Sequence, residues 1–363
     1  MFKRIHEGFF LKVHIMKKFR AFILAEQLLT IMLQAGFILV LCGTFYLLTS
    51  FYANMNQALT ARNHAERVIS FLDSKIRQAG LGLWRCDDAA DIRNRLAIIP
   101  MLSESGQYAY NLPISVTDND GNMNEDFKPK KNSNKTEGDV LTLLYAQSEL
   151  SSGDDYEIIT LAKKPASFSE GETIIELADN SNENLEHLKE KSVFSFSESK
   201  TDIRNYAVSA SFGFPIYLHK LLNHELTVGL FGSISETVTI PVASELLALK
   251  CMQMFVRTDG DERQFVYREL TEDGAKWKNA TIQEDNILDI YMKLESNVLT
   301  LCVLASGGKN TGANTPRPET WPKEANPKAN TDEAAKAAWL ASDYCNHIVY
   351  VSRQSWRLHN VMN

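Results

Sequence analysis

The chain has 363 residues and a formal net charge of −7, with 44% hydrophobic and 23% charged residues. That length allows one large domain or two modest ones, and the composition is that of a folded protein, not a disordered one. The acidic balance argues against nucleic-acid binding by the molecule as a whole.

The first element in chain order is unevenly charged. Residues 1–21 hold six basic side chains, Lys3, Arg4, Lys12, Lys17, Lys18 and Arg20, against Glu7 alone. From Gln27 to Ala61 there is no charged side chain over 35 residues. About 20 apolar residues suffice to cross a bilayer as a helix, so Phe22 to Tyr52 is predicted to span one. A basic tip before the apolar run and an acidic body after it place the N-terminus in the cytoplasm and the body outside it. A cleaved secretory signal would have a shorter apolar core followed by a small-x-small site, which this sequence does not show. One acid, Glu26, stands near the start of the run, where a carboxylate in lipid is costly.

Helical spacing continues past the apolar run. Ala61, Ala65, Val68, Ile69, Leu72 and Ile76 recur at three and four residues and form one apolar stripe. No proline precedes Pro100, and Gly80 follows Lys75 and Arg77, a C-terminal stop signal. The reading is one helix from about Phe22 to Ala79, apolar all round at first and amphipathic from Asn54.

Beyond Trp84 the sequence reads as strands and loops. "DVLTLLYA" (Asp139–Ala146) is an apolar run of strand length. "LTVGLFGSISETVTIPV" (Leu226–Val242) alternates around Gly229 and Gly232, which mark a bulge or bend. "NVLTLCVLA" and "HIVYVSRQSW" are predicted to pair antiparallel. Loops are predicted at Asp118–Lys135, at Asn180–Lys191 and at Gly307–Ala337. The last is poor in apolar residues, holds four of the ten prolines, and is expected to be an exposed excursion between the closing strands. The segment from about Glu149 to Glu236 resists assignment.

Candidate chemistry is sparse. The sequence contains no GxSxG, P-loop or GxGxxG pattern, and His219 and His224 are five apart, unlike the i, i+4 pair of HExxH. Two acidic stretches admit weak calcium readings, Asp118 and Asp120 in "DNDGNMNED" and Asp259 and Asp261 in "TDGDE"; β-turns account for both equally. The basic run Lys128–Lys135 reads as a solvated loop. Five cysteines occur, with Cys42 in the apolar run and four beyond it. If the closing strands pair, Cys302 and Cys345 flank the excursion, and a disulfide there would contribute roughly 4 kcal/mol by loop closure. Cys86 and Cys251 would form the other pair; the alternative is four reduced thiols packed as small apolar groups.

The stretch "KKFRAFILAE" (Lys17–Glu26) resembles the processing signal of type IV pilins and pseudopilins. In that family a prepilin peptidase cuts after a small residue, here Ala21 where glycine is usual. The new N-terminal residue, here Phe22, is N-methylated, and a glutamate stands fifth, here Glu26. A start at Met16 would give the short leader typical of the family. "FLDSKIRQAGLGLWRC" (Phe71–Cys86) is similar to the end of the N-terminal helix in PilW-type minor pilins. "EGDVLTLLYA" (Glu137–Ala146), Val242–Tyr267, Ile287–Ser306 and Ile348–Asn360 resemble strands of their heads.

The resemblance implies an α+β, pilin-like fold: a leader over 1–21, a transmembrane and assembly helix over 22–53, its amphipathic continuation over 54–84, and an antiparallel β-rich head over 85–363 with an exposed loop at 307–340. It implies a non-enzymatic minor pilin without cofactor, in a Gram-negative-type envelope. Such a protein is held in the inner membrane by one span with a periplasmic head, then carried into a surface fibre. It serves pilus assembly, adhesion and twitching motility. The implied partners are the prepilin peptidase, other minor pilins, the major pilin, the inner-membrane assembly platform and a tip adhesin; no nucleic acid is implied. A minor pseudopilin of type II secretion shares the same anchor. A signal-anchored periplasmic enzyme or sensor is the alternative of another class.

Overall fold

Two apolar periodicities organise this chain, one of 3.6 residues and one of two. They appear in a computed structural model that describes residues 2–96, 112–117, 135–147, 162–168, 171–177, 206–222, 224–232, 234, 237–259, 262–271, 277–310, 314–325 and 331–358. The chain divides into two units, residues 1–57 and 58–363.

Helix α1 runs from Phe2 to Gln78. It therefore includes the segment expected as a leader, which contains no proline to stop it. It ends one residue before the predicted position. Gly80 takes φ 72°, the left-handed conformation that closes a helix without a Cβ penalty. Ala79 already bridges to Tyr145, and the Gly80 N–H donates to Leu144 O at 3.1 Å. A short helix α2 (Ala89–Arg95) follows, capped by Asp88, whose side chain accepts from the Asp91 N–H.

The strands then come in chain order. They are β1 (Ile114–Thr117), β2 (Lys135–Gln147), β3 (Ala166–Phe168), β4 (Glu172–Glu176), β5 (Tyr206–Val208), β6 (Ile216–Leu222) and β7 (Glu225–Gly229). After these come β8 (Val238–Ile240), β9 (Leu247–Asp259), β10 (Glu262–Glu269), β11 (Thr281–Asp285), β12 (Ile287–Glu295) and β13 (Val298–Lys309). Helix α3 (Asp332–Ala341) and β14 (His347–Arg357) complete the chain. All strand pairings are antiparallel. The larger sheet has nine strands in the order β1-β2-β9-β5-β6-β7-β4, with β10 also on β9 and β11 on β10. Strand β9 is its spine, paired with β2 on one side and with β5 and then β10 on the other. A second sheet has the order β12-β13-β14, and β3 pairs with β8.

Alternation along β2, β9 and β13 distributes side chains between separate cores. Leu141, Leu143 and Tyr145 of β2 join Met252, Met254 and Val256 of β9 and Leu299, Leu301, Val303 and Ala305 of β13 around the second part of α1. Leu144, Ala146 and Cys251 face the other way, into a core closed by Leu83, Ile92, Leu96 and the strands β3 to β8.

The structure adds to these expectations and corrects some of them. The unassigned segment 149–236 supplies β3 to β7, of which β4 to β7 extend the large sheet. The expected bend falls at Phe231–Gly232, where Gly232 takes φ 78°, and a bulge lies on β6, where the register shifts between Leu218 and Lys220. A Cβ on Gly229 would sit 1.9 Å from Tyr217 Cζ, so glycine there admits the tyrosine ring lying over the backbone.

The excursion 307–340 is anchored on the sheet by a few buried residues, while half of its described residues are exposed. Trp321 and Trp339 are buried with Leu288, Cys302, Leu304 and Cys345 in a small core on the face of β12 and β13 turned away from α1. Polar bonds hold it: Trp339 Nε1 donates to Thr315 O at 2.9 Å, Arg317 donates to Trp321 O, and Thr331 caps α3. The physical reason is that two tryptophans bury enough area to outweigh many polar neighbours. Trp339→Ala is expected to cost about 3–5 kcal/mol locally. Limited proteolysis should then cut within 310–346 much faster, with the strand signal in circular dichroism retained.

Candidate functional site

The sequence-predicted site lies on α1, and its two parts meet different surroundings. From Phe22 to Asn56 every residue is exposed. Phe22 is 70% exposed, and Leu39, Phe45 and Tyr46 are similar. Among the described residues this is the one helix long and apolar enough to cross a membrane. Its threonine hydroxyls bond back to their own helix: Thr30 Oγ1 donates to Glu26 O at 2.8 Å, Thr44 to Leu41 O at 2.9 Å and Thr49 to Phe45 O at 2.8 Å. Such internal bonds remove the cost of carrying hydroxyls into an apolar medium. The Glu26 carboxylate has no such partner among the described residues. Ala21 lies within α1, and its side chain is outside the described residues.

In the second unit the same helix has one buried stripe. Ala61, Ala65, Val68, Leu72 and Ile76 are each at most 2% exposed, with Ile69 and Phe71 packed at the margin. These are the positions that helical spacing predicts. Phe71 also meets the ring of Tyr267 at 5.3 Å between centroids.

Polar contacts that spacing cannot reveal fix the helix within the second unit. Glu284 of β11 takes His64 Nδ1 at 2.5 Å and Arg67 Nη1 at 3.3 Å. Trp356 Nε1 of β14 donates to Asp73 Oδ1 at 2.7 Å, and Ser352 Oγ donates to Glu66 Oε1 at 3.5 Å. Lys75 lies 4.3 Å above the Tyr145 ring, and Tyr145 Oη donates to Glu269 at 3.1 Å. Burial lowers the Lys75 ammonium, with Glu269 opposing that shift. Partners such as His64 and Glu284 are 220 residues apart, so no local sequence signal could have joined them.

The disulfide pairings are corrected: all five cysteines are free thiols. Cys302 stands opposite Tyr291 and Arg353, because Cys345 lies in the turn before β14 and not on the strand. The Cys345 thiol donates to Ser342 O at 3.3 Å. Cys86 and Cys251 are buried in the core beneath α2. Burial pushes Cys86 up to about 12 and Cys302 up to about 11, so both stay protonated and unreactive at neutral pH.

Of the calcium candidates, Asp118, Asp120 and Asp261 lie outside the described residues. Asp259 ends β9, and its side chain is likewise outside. Among the described residues no three His, Cys, Asp or Glu side chains gather to hold a metal.

No protein-family profile and no curated protein sequence matches this chain. The solved structure of the phage phi92 endosialidase is similar over 49% of this chain and 31% of its own, at 9% identity and a TM-score of 0.15.

The Asp73 clamp gives a pH prediction. Hydrogen bonds from Arg77 and then Trp356 hold its carboxyl below the ordinary 3.8. A depressed folded value means the stabilisation is present above pH 3.8 and is lost as pH falls through the folded value. Asp73→Asn should cost about 1 kcal/mol near neutrality, solvent screening included. Denaturant unfolding followed by tryptophan fluorescence should show that gap closing below about pH 4.

Proposed function

We propose that this chain is a minor pilin of the PilW type, which helps initiate a type IV pilus and is incorporated at or near its tip. The observation that carries the reading is Glu26: one carboxylate, without a partner among the described residues, in an otherwise uncharged and fully exposed apolar helix. Cleavage after Ala21 frees an amine at Phe22, one turn before Glu26 on the same helix. That amine is largely cationic below its ordinary value near 8. A carboxylate in an apolar medium requires a charged, hydrogen-bonded partner. The amine of a neighbouring subunit supplies it, and only at one axial stagger. Glu26 and Phe22 thus set register as the subunit leaves the bilayer and packs helix to helix in the fibre.

Further support comes from the second unit. Its helical stripe is already consumed by two antiparallel sheets, so the open apolar surface of α1 lies in the segment before Ala61. The head contributes by binding other subunits, without catalysis. The N-terminus is cytoplasmic, the head periplasmic, and the prepilin peptidase acts before assembly.

Glu26→Gln tests this directly. It should leave membrane insertion unchanged and reduce recovery in sheared fibres by about tenfold or more, since an unmatched buried charge costs several kcal/mol. Recovery of Glu26→Gln at the wild-type level would overturn the register role.

A further inference from the structure

Among the described residues the β12 and β4 edges make contacts beyond their ladders, and β14 is the longest edge strand. At the β12 edge, Asp139 of β2 accepts the Met292 N–H on Oδ2 at 2.6 Å. At the β4 edge, the Lys163 N–H donates to Glu176 O at 2.6 Å, Ala162 bridges Leu177, and Thr173 Oγ1 donates to Ser167 O at 3.0 Å. Strand β14 has 11 residues, about twice the common strand length, and pairs with β13 alone. From Val349 to Arg357 the register runs without a bulge, and the strand contains neither proline nor lysine. At the start of the strand the Thr315 hydroxyl donates to His347 O at 2.6 Å; among the described residues nothing bonds to the outer edge from Val349 to Arg357. Natural sheets usually blunt such an edge with a bulge, a proline, charged side chains or a covering segment; here the exposed charges are Arg353 and Arg357.

The side chains along this edge divide by face. Ser352 and Trp356 are buried toward Glu66 and Asp73 of α1. Arg353, Ser355 and Arg357 alternate on the opposite face and are exposed. Neither arginine forms a hydrogen bond or ion pair among the described residues. They make a short cationic row on a molecule of formal net charge −7.

We infer that the free edge of β14 is a strand-addition site for an extended segment of a partner subunit with carboxylates at alternate positions opposite Arg353 and Arg357. Backbone pairing supplies affinity in this mode and the alternating side chains supply selectivity. A second copy of this chain meets a penalty in one register. Antiparallel β14–β14 pairing centred on Ser355 sets Arg353 against Arg357 twice, and like charges directly opposite are destabilising. The inference rests on the sheet edge and does not depend on processing at Ala21.

The test uses the full chain in detergent micelles and a fluorescein-labelled peptide of alternating valine and glutamate, read by anisotropy. The peptide should bind. The same peptide N-methylated along one edge, and an alternating valine–lysine peptide, should not. Arg353→Glu with Arg357→Glu should weaken the glutamate peptide by about tenfold and admit the lysine peptide. Equal binding of the N-methylated peptide would overturn strand addition. Indifference to charge reversal would overturn the acidic partner. A Ser355→Cys variant that crosslinks to itself along β14 in solution would make the occupant a second copy and overturn the assignment.

Discussion

Between Phe22 and Asn56 the protein provides no cover for its own apolar side chains. Burial of apolar surface is the main favourable term in folding and association, at roughly 25 cal/mol per Å². A helix exposing phenylalanines, leucines and isoleucines on every side is therefore stable only when something external surrounds it. That requirement governs the reading of the first unit. It explains why its threonines bond to their own helix and why a single acid there is informative.

From Ala61 onward the same helix obeys a different rule. Its apolar residues contract to one stripe, and two antiparallel sheets fill that stripe. Hydrophobic packing sets which face is inward, but it allows sliding along the axis. The clamps at His64–Arg67–Glu284, at Lys75–Tyr145–Glu269 and at Asp73–Trp356 remove that freedom, because each pairs a position on the helix with a particular strand. The two units thus divide the work of α1. One half presents surface and the other fixes the helix in the head.

How much of this was legible depended on whether a signal was local. The helical stripe was readable because Ala61, Ala65, Val68, Leu72 and Ile76 repeat with the helix period. Strands β2, β9 and β13 were readable because each is long and alternates between two cores. Glu26 was readable because a charge in an uncharged run needs no partner to be noticed. Strands β3 to β6 were not, since they have three to seven residues and show no alternation long enough to mark them. The packed excursion was missed because prolines and polar residues outnumber Trp321 and Trp339, although the tryptophans decide its burial. The cysteine pairing failed on geometry: Cys345 precedes β14, and Arg353 occupies the place opposite Cys302. Asp139 gave no signal, since its meaning depends on Met292, 153 residues away.

The central claim is that Phe22 becomes a charged N-terminus whose neighbouring Glu26 sets assembly register. The most direct measurement is the N-terminal peptide mass of the mature protein isolated from its native envelope. The account predicts loss of residues 1–21 and a methyl group on the Phe22 amine. A mature protein that retains the Arg20–Ala21–Phe22 sequence intact would contradict it, and would leave α1 as a plain membrane anchor.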